Sequence, residues 1–143
     1  ASIRAGSGRA GGGVCIHAGS STEAAGGNAS LISGSSTSAK ESSGAILVHT
    51  GTSKAASGTI SMITGQASAG SSGPICMRTG DADGGSGGNI ILAVGSGESG
   101  NGGAVQVEAG NASTSGQGGE ISLLGGTGAY GGSIGLFAGE GFA

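Results

Sequence analysis

Apolar and polar positions along this chain follow one recurring spacing: glycine, any residue, an apolar residue, any residue, a second apolar residue, two further residues, glycine. The octapeptide is complete nine times, opening at Gly12, Gly27, Gly44, Gly58, Gly73, Gly88, Gly103, Gly119 and Gly132. The matching closing glycines are Gly19, Gly34, Gly51, Gly65, Gly80, Gly95, Gly110, Gly126 and Gly139, and a truncated copy at the start of the chain closes at Gly6. Five to nine variable residues separate one copy from the next, so the period is 13 to 17 residues. Self-similarity at such a period is the signature of a repeat architecture.

The first apolar position is held mostly by Ile or Val, as at Val14, Ile46, Ile60, Ile75 and Ile90. The second holds Ile16, Leu31, Val48, Met62, Met77 and their equivalents. A separation of two puts both side chains on one face of extended backbone, and β-branched residues suit a pleated surface. No segment has helical spacing, and glycine at this density opposes a helix by about 1 kcal/mol per residue. The pattern therefore predicts an all-β fold: a parallel β-helix (solenoid) of about ten turns, 13–17 residues per turn, as a single repeat domain over residues 1–143. The bracketing glycines are expected at corners, either to supply positive φ or to let backbones approach closely. The chain begins inside a copy of the repeat, as expected of a segment of a longer protein or fibre.

Composition sharpens this picture. Glycine accounts for 37 of 143 residues, charged residues for 9% and aromatics for 2%. Such a bias is usual in disordered chains, but those carry high net charge and few β-branched residues, whereas here the net charge is −3 and Ile, Val and Leu recur on a beat. Glycine does not fall at every third residue, which excludes collagen. No stretch approaches the roughly 18 apolar residues of a membrane-spanning helix, so no membrane span is expected. The core available to a solenoid of this sequence is meagre, which favours assembly over an isolated monomer.

The residues between and after the paired apolar positions should face outward, yet they include Ile32, Leu47, Ile63, Ile91, Leu124 and Phe137. These are either scattered surface hydrophobes or a face covered by a neighbouring chain or a folded-over loop. Charge is polarised: in residues 1–78 Arg4, Arg9, Lys40, Lys54 and Arg78 oppose Glu23 and Glu41, giving +3, whereas from residue 79 onward six acids and no base give −6. Opposite ends of this kind attract, so head-to-tail stacking of copies is expected. The residues placed at such an end-to-end interface are Arg4 and Arg9 at the start, and Tyr130, Phe137, Glu140 and Phe142 at the end.

Candidate chemistry is sparse. Cys15 and Cys76 share a register but stand four repeats apart, about 19 Å in a β-helix. That distance is too long for an intrachain disulfide, so the thiols are expected to be free or paired between chains. Asn28 and Asn111 head Asn-Ala-Ser sequons and are candidate N-glycosylation sites. Asp81 and Asp83 resemble one turn of a calcium-binding β-roll, but that motif must recur every turn. Stretches 6–11, 95–100 and 126–131 match the dinucleotide fingerprint but open no helix, which rules that reading out. No metal site, cofactor or catalytic constellation is expected, and no nucleic-acid partner. Thr50, Thr64 and Thr79 hold one register in three consecutive repeats, the kind of array an ice-binding face would use.

Stretches 43–51 (SGAILVHTG) and 118–126 (GGEISLLGG) carry a resemblance to tandem Gly/Ser-rich repeats of large surface proteins of unicellular algae. The resemblance extends over essentially the whole chain. It implies secretion and a structural role at the cell surface, as wall, scale or flagellar-hair material. The two cysteines and the outward apolar residues depart from that pattern and point to lateral packing particular to this chain. The expected function is thus an extracellular structural protein, fibre- or filament-forming, with copies of itself and glycans as partners. The alternative is a surface binding module, ice-binding or adhesive, and a third reading is a stalk that spaces a domain outside this sequence.

Overall fold

The computed structural model describes residues 1–113 and 115–141. Among the described residues there is neither a helix nor a strand; the chain alternates extended segments with bends. It divides into two units, Ala1–Ile75 and Cys76–Ala143. The expected parallel β-helix is therefore not what the chain forms, and the correction has a plain physical basis.

A strand needs a partner. The octapeptides do run extended: side chains two residues apart meet repeatedly, as Cys15 meets His17 and as the Gln106 amide donates to the Glu108 carboxylate at 3.2 Å. A Cβ added to Gly135 would likewise lie 2.5 Å from the ring of Phe137. Contacts between i and i+2 are those of a pleated backbone. However, no backbone hydrogen bond joins one described octapeptide interior to another. Without those ladders there is no sheet, and without a sheet no second layer forms over the apolar face.

Burial records the same outcome. No described residue is buried, and the chain exposes 14392 Å². A compact monomer of this mass would expose about 6,300 Å² and a fully extended chain about 18,700 Å². The alternation predicted from sequence still leaves an imprint: Ile46 is 49% exposed where its neighbour Leu47 is 77% exposed. The pleat thus sorts side chains to two faces, but nothing covers the apolar one. About twenty small or medium apolar side chains are too few to offset the conformational entropy of so glycine-rich a chain, since glycine loses more freedom than any other residue.

All nine variable segments bend. The bends lie at 8–10, 22–24, 39–40, 54–55, 68–70, 83–85, 98–100, 115–116 and 128–130. Serine hydroxyls form several of them. Ser21 Oγ accepts from the Ala24 amide at 2.9 Å and the Glu23 amide at 3.3 Å. Ser38 Oγ accepts from the Lys40 amide and Ser53 Oγ from the Ala55 amide, each at 3.2 Å. A short hydroxyl that captures an amide two or three residues on mimics a backbone turn. The remaining bends draw on glycine. Among the described residues only Gly100, at φ 84°, takes up positive φ. Of the two uses expected of the bracketing glycines, positive φ is therefore not the one they serve, and close approach is seen at several opening glycines.

Candidate functional site

Two features stand out against this exposed chain: the necks of the loops and the uncovered apolar surface. At five necks the amide of an opening glycine donates to the carbonyl of the preceding closing glycine. The pairs are Gly12 to Gly6 at 2.9 Å, Gly27 to Gly19 at 2.8 Å, Gly44 to Gly34 at 2.8 Å, Gly119 to Gly110 at 2.9 Å and Gly132 to Gly126 at 2.8 Å. The backbones approach so closely that a Cβ on Gly12, Gly27 or Gly119 would stand 3.2 Å from the facing glycine nitrogen, and on Gly132 only 3.0 Å. The closing glycines, by contrast, have open space where a Cβ would be. A side chain is thus tightly accommodated at one end of each closed neck and freely at the other.

The residue just before the closing glycine sits in the neck. Ser33, Thr50, Thr64, Thr79 and Ala109 all occupy this position, and they are the only half-buried residues among those described. Sequence reasoning ranked this register by its threonines alone and missed its structural place. The threonines whose shared register suited the alternative of an ice-binding face are half-buried.

The apolar surface is open to solvent throughout. Ile63 is 85% exposed and Leu124 87%. In the first unit Ile16, Ala29, Ser30 and Leu31 line a shallow depression beside the Asn28 sequon. Both Asn28 and Asn111 are exposed, as an acceptor for a glycan must be. Cys15 and Cys76 are free and exposed. The Cys15 Sγ lies 2.7 Å from His17 Nε2, a pairing that Cys76 lacks. Of the residues assigned to an end-to-end interface, Arg4, Arg9 and Glu140 are exposed, and Tyr130 and Phe137 are almost wholly so. Arg4 and Arg9 belong to the first unit, and Tyr130, Phe137 and Glu140 to the second. Phe142 lies outside the described residues.

Among the described residues no three His, Cys, Asp or Glu side chains lie together as metal ligands would. No described helix is long and apolar enough to cross a membrane. No protein-family model, curated protein or solved structure matches the chain.

Proposed function

We propose that this chain is a structural protein of the cell exterior that works by associating with copies of itself. One observation carries the reading: no described residue is buried, while more than twenty large apolar side chains stand exposed on a repeating beat. Contiguous apolar surface beyond a few hundred Å² marks an interaction site in a soluble protein. Here exposed apolar side chains recur with every octapeptide, which suits a repetitive, extended contact more than a single binding pocket.

Charge supports a head-to-tail sense of assembly. In Ala1–Ile75 two arginines and two lysines oppose two glutamates, giving +2; in Cys76–Ala143 Arg78 opposes six acids, giving −5. A like-with-like contact would repel, so the first unit of one copy suits the second unit of the next. The exterior location rests on the repeat's resemblance to surface proteins and on two exposed sequons. The half-buried position of Thr50, Thr64 and Thr79 disfavours ice binding as the alternative.

The test is sedimentation and electron microscopy of the purified chain at low and high salt. Filaments or large oligomers at low salt that diminish as salt rises support the reading. Monodisperse monomers at both salts, at concentrations where other surface proteins assemble, overturn it.

A further inference from the structure

Five loops are closed by a glycine–glycine hydrogen bond and four are not, and loop length does not explain the division. The closed loops include the shortest, of five residues (7–11 and 127–131), and the longest, of nine (35–43). The open loops, 52–57, 66–72, 81–87 and 96–102, have six or seven. Closure entropy also varies too slowly to matter over this range, about 0.6 kcal/mol per doubling of length.

The residue before the closing glycine divides the loops without exception. In the closed loops it is Ala5, Ala18, Ser33, Ala109 or Gly125, none of them β-branched. In the open loops it is Thr50, Thr64, Thr79 or Val94, all of them β-branched. Ser33 shows that a hydroxyl by itself does not prevent closure, and Val94 shows that none is needed to keep a loop open.

The geometry supplies the cause. In the closed necks the opening glycine meets the facing backbone and, of the preceding side chain, at most its Cβ: a Cβ on Gly27 would stand 3.2 Å from the Gly19 nitrogen and 3.6 Å from Ala18 Cβ, and one on Gly44 would stand 3.3 Å from Ser33 Cβ and 3.4 Å from the Gly34 nitrogen. In three of the four open necks a γ-methyl is the nearest atom instead. It is Thr50 Cγ2 at 3.4 Å for Gly58, Thr79 Cγ2 at 3.3 Å for Gly88 and Val94 Cγ1 at 2.7 Å for Gly103. A β-branched side chain has one strongly preferred χ1 and two heavy atoms on Cβ, so one of them cannot be swung clear at little cost. At Gly73 nothing lies within 4 Å, and here Pro74 adds its own restriction on the preceding residue.

We propose that the side chain preceding each closing glycine is a wedge that sets the state of the following loop: an unbranched residue lets the two glycines bond, and a β-branched residue holds them apart. The four loops that follow a β-branched residue are consecutive, and three of them show the wedge contact. The device therefore divides the chain into closed loops toward each end and a run of open loops in the middle, where the amides of Gly58, Gly73, Gly88 and Gly103 and the carbonyls facing them stay unspent. This inference does not depend on self-association.

The test is amide hydrogen exchange, read residue by residue by NMR on the full chain. Thr79→Ala and Thr79→Ser should both slow exchange at Gly88 by roughly 2- to 10-fold, the range that one neutral hydrogen bond confers. Thr79→Val should leave it at the wild-type rate, and Ala109→Val should speed exchange at Gly119 by a similar factor. These positions lie on an exposed chain with no core, so the variants do not risk global unfolding. No slowing in the Ala and Ser variants, or equal slowing in the Val variant, overturns the proposal, as does a Gly119 that stays protected in Ala109→Val.

Discussion

The amide of Gly132 donates to the carbonyl of Gly126 at 2.8 Å, and a Cβ placed on Gly132 would stand 3.0 Å from the Gly126 nitrogen. The two glycines of one neck are therefore unequal. Gly132→Ala pushes a methyl into the facing backbone and should break the bond, with amide exchange at residue 132 several-fold faster. Gly126→Ala meets no atom within 4 Å and should leave the Gly132 amide protected. Equal effects of the two substitutions would show that the neck is not held by close approach.

Cys15 and Cys76 separate on chemistry, though both are exposed. The Cys15 Sγ lies 2.7 Å from His17 Nε2, within hydrogen-bond reach, a contact that Cys76 does not make. Iodoacetamide should alkylate Cys15 several-fold faster than Cys76 at neutral pH, measured by peptide mass spectrometry. His17→Ala should bring the two rates together. A Cys15 rate unchanged in that variant would remove the imidazole from the account.

Much of the local structure was legible in the sequence. The alternation at Ile46, Leu47 and Val48 predicted extended backbone with two unlike faces, and the exposures follow that alternation. The bends lie inside the variable segments, not at the bracketing glycines where corners were expected. What failed was the step from a repeated extended segment to stacked strands, because periodicity specifies which side chains share a face but not whether backbones pair across repeats. Pairing depends on the balance of burial against entropy, and that balance was already unfavourable in the glycine content. The necks were visible as well: position seven reads Ala, Ala, Ser, Thr, Thr, Thr, Val, Ala, Gly through residues 5–125, but only the structure shows that, Thr64 apart, it approaches the next opening glycine. The unequal demand on opening and closing glycines had no sequence signal, since both positions are glycine.

Gly100 is the one described residue with positive φ, and it ends the bend at 98–100. A side chain there meets open space, so any cost is conformational rather than a clash. Gly100→Ala should disfavour the bend by about 1–2 kcal/mol. Gly100→Asn should do so less, because asparagine tolerates left-handed backbone. The coupling between the amide and α protons of residue 100 reports φ directly. An alanine variant that keeps the glycine geometry would show the bend to be set elsewhere.

Opposite charge on the two units gives assembly a sign that substitution can reverse. Arg4→Glu with Arg9→Glu takes the first unit from +2 to −2, facing a second unit at −5. Attraction between copies becomes repulsion, and assembly should weaken at low salt. At about 1 M salt the screening length falls to roughly 3 Å, so the difference from wild type should vanish there. Replacing Leu47, Ile91 and Leu124 by serine should act otherwise. It removes exposed apolar surface without changing charge, so it should weaken assembly at every salt concentration. Sedimentation velocity across a salt series distinguishes the two. If the charge variant assembles like wild type at low salt while the serine variant does not, contact between copies is apolar without the head-to-tail sense, and if neither differs from wild type, these surfaces do not form the contact.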